Sequence, residues 1–177
     1  TKYSVEVSQE AGLVMARSGT KILATCPASS DSYPVFKKAI DTVPANGTFG
    51  IGPGLYNISA PYQFMLDPGG KNPFWVALPV VDKGNMKVIG AGRDNTIIKL
   101  LPNQRSPSRH VIMMLVRATA PTSLGNSDFE ISGITFDGNR SKQNDKDPYD
   151  GESLLLFGSL RSGTRVHDIK FINSWAS

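Results

Sequence analysis

The sequence predicts an all-β protein in which short strands stack in successive coils, a parallel β-helix, with one short helix near its N-terminal end. Short apolar runs recur along the 177 residues, and Gly, Asn, Asp or Pro lies between nearly all of them. Seventeen glycines and twelve prolines, with only 19% charged residues, suit a chain rich in turns. No long amphipathic helical pattern separates the runs, which argues against a doubly wound sheet.

The N-terminal part of the chain predicts a cap for this coil. Residues 1–30 predict one or two short strands separated at Ser18-Gly19, and residues 31–43 predict the capping helix. A Ser or Asp N-cap followed by Pro34 is a favourable helix start. The helix has an apolar face of four residues at helical spacing: Val35, Phe36, Ala39 and Ile40.

The remainder, residues 48–177, predicts the first coils of a single domain that spans residues 1–177. A strand over 48–59, broken by Gly52-Pro53-Gly54, comes first. Further strands are predicted at 86–89, 96–101, 111–116, 129–136, 153–157 and 166–172. Apolar bursts such as Leu154-Leu155-Leu156-Phe157 favour strands buried within a coil over the longer, half-exposed strands of a β-sandwich, which is the competing fold.

Two segments that lie 35 residues apart have similar sequences. The Ile-x-Phe pattern at 134–136 recurs at 169–171, within the runs 131–136 and 166–171. Strands that stack in consecutive coils repeat in this way. The spacing is longer than a minimal coil, and a polar, turn-rich loop over residues 139–152 accounts for the surplus.

The helical segment FKKAID at 36–41, followed by GTFGIGPGLYNI at 47–58, resembles the start of the pectate-lyase-like β-helix superfamily, in which a helix closes the N-terminal mouth of the coil. The segments 88–99 and 131–139, the latter ending in FDGN, resemble its successive coils. The resemblance covers residues 33–175 and implies a right-handed parallel β-helix. It also implies a polysaccharide-related role, because the superfamily includes pectate lyases, polygalacturonases, alginate-modifying enzymes and phage tailspikes.

The fold leaves two functional classes open, because a β-helix hosts hydrolases, lyases, epimerases and inert adhesins alike. In the first class, the chain is the N-terminal part of an extracellular polysaccharide-processing enzyme of the glycoside hydrolase or lyase kind. In the second, it is a non-catalytic β-helix that adheres to a surface or glycan, as in a phage tailspike, an adhesin or a cell-surface component. The active-site motifs of polygalacturonases and pectate lyases do not occur in the sequence.

The loop at 139–152 carries the candidates for catalysis: Asp145, Asp147, Asp150 and Glu152. Two carboxyl groups that converge at about 5 to 10 Å could act as general acid and base in glycoside hydrolysis. Asp145, Asp147 and Asp150 could instead bind Ca²⁺, which prefers oxygen ligands. The alternative interpretation is that these charges solvate a protruding loop. Asp137, which opens the Asp-Gly-Asn sequence before the loop, is predicted to cap the turn that ends its strand.

Aromatic and basic side chains are the candidates for substrate binding: Trp75, Tyr149, Arg140 and Lys142. Tyr and Trp rings stack on the apolar faces of sugars, and the segment Gly69-Gly70-Lys71-Asn72-Pro73 predicts a loop that could present Trp75. The two histidines, His110 and His167, are isolated in the sequence and are predicted to be packed or solvated rings.

The charge of the chain indicates its partners. A net charge of +4 and a pI near 9.2 suit an anionic polysaccharide or cell-surface glycan. The basic residues are spread without a dense cluster, which predicts no nucleic-acid binding. No apolar run approaches the roughly twenty residues of a membrane span, which predicts no membrane insertion. Sequons at Asn46, Asn57 and Asn139 favour an extracellular or cell-surface location.

The last predicted strand is followed at once by Ser174-Trp175-Ala176-Ser177, without a charged edge or an amphipathic cap. Solenoids use such features to block pairing at their ends. The sequence therefore predicts a chain truncated at its C-terminal end, or a last coil covered by another chain, as in a homo-oligomer.

Overall fold

The computed structural model describes residues 2–65, 69–70, 73–118, 128–144, 154–158 and 162–174. The strands in these ranges are β1 (Val5–Glu10), β2 (Leu13–Ser18), β3 (Lys21–Pro27), β4 (Thr48–Ile51), β5 (Gly54–Ile58), β6 (Tyr62–Phe64), β7 (Phe74–Val81), β8 (Lys87–Gly90), β9 (Thr96–Leu100), β10 (Val111–Arg117), β11 (Glu130–Asp137), β12 (Leu155–Phe157) and β13 (Arg165–Ile172). The helix is α1 (Tyr33–Thr42), and a 3₁₀ turn covers Arg140–Lys142. Within the same ranges, no helix has the length and apolar character that a membrane span requires.

The strands form two sheets in the described part of the chain. The larger sheet has the order β3-β2-β1-β4-β8-β11-β9-β5, with β13 beside β11, and the smaller sheet has the order β12-β10-β7-β6. Every pairing between successive coils is parallel. The chain runs from β8 through β9 to β10 and returns one layer further on as β11. Each turn of the chain therefore adds one strand to each stack, which is how parallel strands pair without long helical crossovers.

Strand β11 bends where it changes partner. Its first half pairs with β8 and its second half with β9. Gly133 lies between the two halves with a φ of +70°, a conformation that glycine adopts without strain. A Cβ on Gly133 would also lie 2.8 Å from the backbone oxygen of Gly90 in the preceding coil. Both constraints require glycine at this corner of the coil.

The pairing of β11 with β13 confirms that the two similar segments, 35 residues apart, stack in consecutive coils. Ile131 lies opposite Val166, and Phe136 lies opposite Phe171. The six later strands predicted from the sequence also form, and no bound differs from the prediction by more than two residues. These strands were predictable because each is an apolar run that ends at a residue suited to a turn.

The predicted helix is confirmed together with its buried face. Helix α1 buries the four residues predicted for that face: Val35, Phe36, Ala39 and Ile40. Its N-terminal cap differs in detail, because the hydroxyl of Ser32 makes no capping bond. The Oδ1 atom of Asp31 instead accepts hydrogen bonds from the backbone N–H groups of Tyr33 and Ser59, both at 2.9 Å. Asp31 therefore ties the start of the helix to the end of β5.

The core lies between the sheets and is closed at one end by α1. The ring of Phe36 packs edge-on against Phe49 at 6.1 Å and against Tyr56 at 5.3 Å. Inward side chains then follow in rows from coil to coil, and they stay fully buried as far as β11. On β13 the same rows become exposed, with Val166 at 45% and Phe171 at 48%.

The N-terminal segment has three strands, so the prediction of one or two is wrong. Strands β1, β2 and β3 form an antiparallel meander, and β1 also pairs in parallel with β4. The additional turn lies at Ala11-Gly12, where both residues have positive φ. A two-residue hairpin turn needs this conformation. Alanine is not a typical turn residue, so the sequence does not signal the turn.

Strands β6 and β7 are absent from the sequence-based prediction. Strand β7 lies between β10 and β6 in the smaller sheet, and Trp75 is its second residue. The loop predicted to present Trp75, at 69–73, lies partly outside the described residues. The strand contains Pro79, which lies opposite Leu115 of β10. Proline inside an apolar run ordinarily argues against a central strand, because it removes a backbone donor. Packing of the neighbouring coil overrides that local preference here.

Candidate functional site

The predicted catalytic and calcium-binding carboxyl groups lie outside the described residues: Asp145, Asp147, Asp150 and Glu152. Tyr149, predicted to bind substrate, lies outside them as well. Their roles stay predictions. Among the residues that the structure does describe, no group of three or more His, Cys, Asp or Glu side chains is arranged to hold a metal ion.

Trp75 is half-buried at the start of β7 and packs against the main core. The guanidinium carbon of Arg109 lies 4.3 Å from the centre of the Trp75 ring, a cation–π contact. Arg109 is held there because its Nη2 donates a hydrogen bond to the backbone oxygen of Ala60 at 2.9 Å. One face of Trp75 is therefore occupied by a cation. Its role in substrate binding stays a prediction.

Arg140 and Lys142, also predicted to bind substrate, lie in the 3₁₀ turn after β11. The turn is fixed from both sides, because the backbone N–H of Arg140 donates to the oxygen of Asn173 and the oxygen of Lys142 accepts from Asn103. Asp137 caps the preceding turn as predicted, since its Oδ1 accepts the backbone N–H of Asn139 at 2.8 Å. The role of the two basic residues in substrate binding stays a prediction.

A recess of about 180 Å³ opens on the outer face of the smaller sheet. Its lining comes from four parts of the chain and consists of Lys37, Asp41, Tyr62, Pro79, Val81 and Lys83. The two residues of α1 are four apart and therefore share one helix face. The two residues of β7 are two apart and therefore share the outer face of the sheet. The remaining two come from β6 and from the turn after β7.

The recess carries a net positive charge. Two ammonium groups, on Lys37 and Lys83, face one carboxylate, on Asp41, so the lining has a net charge of +1. Lys37 forms an ion pair with Asp41 within the helix, and its Nζ also lies 6.0 Å from the centre of the Tyr62 ring. The lining thus combines two cations with a half-buried aromatic ring, one side of which faces Lys37.

Lys83 is held by the C-terminal end of α1. Its Nζ donates hydrogen bonds to the backbone oxygens of Asp41 at 2.9 Å and Val43 at 3.2 Å. A cation at this position interacts favourably with the helix dipole. Burial nevertheless lowers the pKa of Lys83, the charge of Asp41 opposes this shift, and repulsion from Lys37 adds to it. An additional anion in the recess would favour the charged ammonium of Lys83 and so oppose the lowering of its pKa.

A second polar surface lies on the larger sheet, where side chains of adjacent strands form an ion pair and a hydrogen bond. Glu130 lies 3.8 Å from the Nζ of Lys87 and 3.2 Å from the Nε2 of His167. The His167 side chain is 58% exposed, which confirms the prediction of a solvated ring. Exposed pairs of this kind contribute little to stability. They match the cross-strand pairing expected on the outer face of a sheet.

Comparison with family models and with curated proteins finds no match for this chain. Among solved structures, the A-module of the Azotobacter vinelandii mannuronan C-5 epimerase AlgE6 is similar, with a TM-score of 0.52 and 22% identity over 81% of this chain and 34% of that chain. The A-module of AlgE4 from the same organism gives a TM-score of 0.53 and 21% identity over 81% and 35%. Both are parallel β-helix proteins.

The fold is a parallel β-helix. The two similar structures thus support the predicted β-helix fold, and membership of the pectate-lyase-like superfamily stays a prediction. The chain spans about a third of the length of the two epimerase modules. In this β-helix, the recess lies beside the capping helix, on the outer face of β7 in the first coil. The sequence does not signal it, because its residues come from separate segments and Lys37 has the pattern of an ordinary polar helix face.

Proposed function

We propose that the chain is the N-terminal part of an extracellular, right-handed β-helix that binds and processes an anionic polysaccharide. The observation that carries the proposal is the cationic recess on the outer face of β7, lined by Lys37, Lys83 and Tyr62. Cations attract the carboxylates of a uronate polymer, and an aromatic ring stacks on the apolar face of a sugar. The net charge of +4 favours the same class of ligand.

The similar structures support this choice of ligand. Both are A-modules of mannuronan C-5 epimerases, and mannuronan is a polymer of uronate with one carboxylate on each sugar. The identities of 21% and 22% support the fold and leave the activity of this chain as a proposal. The right-handed coil is proposed because crossovers between parallel strands of one sheet are almost always right-handed.

The chemistry is proposed for the acidic loop. Asp145, Asp147, Asp150 and Glu152 are the candidates for a general acid and base, and the three aspartates are the candidates for a Ca²⁺ site. A single Asp→Asn substitution at a catalytic position should lower turnover by a factor of about 10² or more while leaving polymer binding intact.

We also propose that a further coil covers β13. Val166 and Phe171 continue rows of side chains that are fully buried at Ile131 and Phe136 one coil earlier. Exposed apolar side chains next to an unpaired strand edge attract another strand. A second copy of the chain that covers this surface would appear as a dimer in solution, which analytical ultracentrifugation would detect.

Binding and turnover should be measured on matched polymers. Isothermal titration calorimetry with mannuronan, polygalacturonate and a neutral mannan of equal length should show binding of the two uronate polymers and not of the neutral one. The affinity should fall as salt is added, because exposed charges are screened. Equal affinity for the neutral polymer, or no binding of either uronate polymer, would contradict the proposal.

Turnover is then followed on the polymers that bind. Proton NMR reports a change of configuration at C-5, ultraviolet absorbance reports unsaturated lyase products, and a reducing-end assay reports hydrolysis. Binding without any of the three products would favour the non-catalytic alternative, a structural or adhesive β-helix of the tailspike or adhesin kind.

A further inference from the structure

We propose that the recess beside the capping helix is a subsite for one uronate residue, with its carboxylate bound by Lys37 and Lys83 and its apolar ring face on Tyr62. This inference rests on the proposed function and adds the position of one sugar to it. The contacts that carry it are those of the described lining residues.

The size of the recess limits what it can hold. Its volume is about 180 Å³. Sites for drug-sized ligands are larger, about 300 to 1,000 Å³. The recess therefore has room for a single sugar ring. Pro79 and Val81 give the recess an apolar floor on that face.

Both lysines have hydrogen-bonding capacity for an anion. An ammonium group has three N–H donors and no acceptor. Two donors of Lys83 are used by the backbone oxygens of Asp41 and Val43, which leaves one for a ligand and also fixes the position of the Nζ atom. Preorganisation of this kind lowers the entropic cost of binding.

Lys37 is paired with Asp41 in an exposed ion pair. Such pairs contribute little to stability, so a ligand carboxylate can share or replace Asp41 at small cost. The pair also contributes to selectivity, because a neutral sugar brings no negative charge to replace that of Asp41 beside the Lys37 ammonium.

The electrostatics of Lys83 agree with an anionic occupant. Burial lowers the pKa of Lys83 in the free protein. A carboxylate nearby favours the charged ammonium and would raise that pKa again. Uronate binding should therefore be accompanied by proton uptake at alkaline pH, which calorimetry detects as a dependence of the binding enthalpy on the ionisation enthalpy of the buffer.

The test is a titration of the full 177-residue chain with a mannuronate trimer, followed by ¹H–¹⁵N NMR, with a neutral mannose trimer and sodium acetate as comparison ligands. The expected result is a shift of the amide signals of α1 and of the end of β7 with the uronate trimer alone. Lys37→Gln and Lys83→Gln should each weaken binding by about tenfold or more, the loss expected for a hydrogen bond to a charged group.

Two exposed lysines outside the recess provide matched controls. Lys38 lies on the same helix but not in the recess, and Lys21 lies on β3. Lys38→Gln and Lys21→Gln remove the same charge and should change the affinity by less than about twofold. Lys83→Gln also loses the hydrogen bonds to the end of the helix. Its spectrum and melting temperature are therefore compared with those of Lys37→Gln, which loses the exposed ion pair with Asp41 and the contact with the Tyr62 ring.

The outcomes separate the two proposals. If the wild-type chain binds the uronate trimer but the recess variants behave like the controls, or if the shifted signals lie elsewhere, the subsite is wrong and the proposed function stands. Equal shifts with acetate would show a simple anion site and also overturn the subsite. If the chain binds neither the uronate trimer nor a uronate polymer, the proposed function fails and the subsite fails with it.

Discussion

Asp31→Ala should destabilise the fold substantially, because Asp31 joins the capping helix to the first coil. Its Oδ1 accepts the backbone N–H groups of Tyr33 and Ser59 at 2.9 Å each, and its Oδ2 accepts the hydroxyl of Ser59 at 2.5 Å. A hydrogen bond to a charged group contributes about 1.5 to 3 kcal/mol when it is well buried. Asp31 is only half-buried, so about 1 kcal/mol for each bond is the appropriate value. The expected loss is about 3 kcal/mol.

Thermal unfolding followed by circular dichroism measures this loss. For a chain of this size, about 3 kcal/mol corresponds to a fall in melting temperature of about 6 to 12 °C. Asp41→Ala is the matched control, because Asp41 lies in the last turn of the same helix and its only described pair is the exposed one with Lys37. That variant should lose less than about 1 kcal/mol, since its ion pair is exposed and alanine favours the helix. A loss below about 1 kcal/mol for Asp31→Ala, or equal losses for the two variants, would refute the role of Asp31 as the link between helix and coil.

Three further predictions test the packing of the coils. Gly133→Ala should lower the free energy of unfolding by about 2 kcal/mol or more, because the residue has positive φ and its Cβ would lie 2.8 Å from a carbonyl oxygen. Gly12 also has positive φ but faces open space, so Gly12→Ala should lower it by only about 1 kcal/mol. Urea unfolding measures both losses. Tyr56→Phe should cost about 1 kcal/mol near neutral pH, because the hydroxyl donates to a backbone oxygen at 3.0 Å. Burial raises the pKa of Tyr56, so above about pH 10 its hydroxyl ionises in the unfolded chain and not in the folded one. The wild type should therefore lose stability above that pH, whereas Tyr56→Phe should not. Urea midpoints at two pH values should show that the difference in stability between the two proteins becomes smaller at the higher pH. Phe136 is fully buried, so Phe136→Ala should lower the free energy of unfolding by about 3 to 5 kcal/mol. Phe171 is 48% exposed, so Phe171→Ala should lower it much less. Similar losses for the two variants in calorimetry would show that β13 is covered.

Much of the fold was predictable because it is encoded in short stretches of sequence. The apolar face of α1 follows from four residues at helical spacing, and all four are buried. The stacking of β11 on β13 follows from the Ile-x-Phe pattern, since equal spacing along the chain gives equal register in successive coils. The turn role of Asp137 follows from the ability of a short carboxylate to accept a backbone N–H two residues later.

Other features were not predictable because distant contacts override local preference. Strand β7 contains Pro79, a residue that argues locally against a central strand, yet the strand is held between β6 and β10. The hairpin at Ala11-Gly12 places alanine at positive φ, which no local pattern indicates. The meander that includes it packs against α1, so tertiary contacts stabilise a turn that the sequence by itself does not favour.

The amino-acid sequence alone therefore determined the helix, most of the strands and the repeat that relates the coils, because periodicity and turn residues act over a few neighbours in the chain. Only the tertiary structure decided where side chains from separate segments meet. The recess joins a helix face at Lys37 and Asp41 to Tyr62, to β7 and to Lys83, and the helix cap joins Asp31 to Ser59. Those groups are brought together by parallel stacking and by the docking of α1, and the relative position of two segments that are distant in the chain is a property of the packed core and not of either segment.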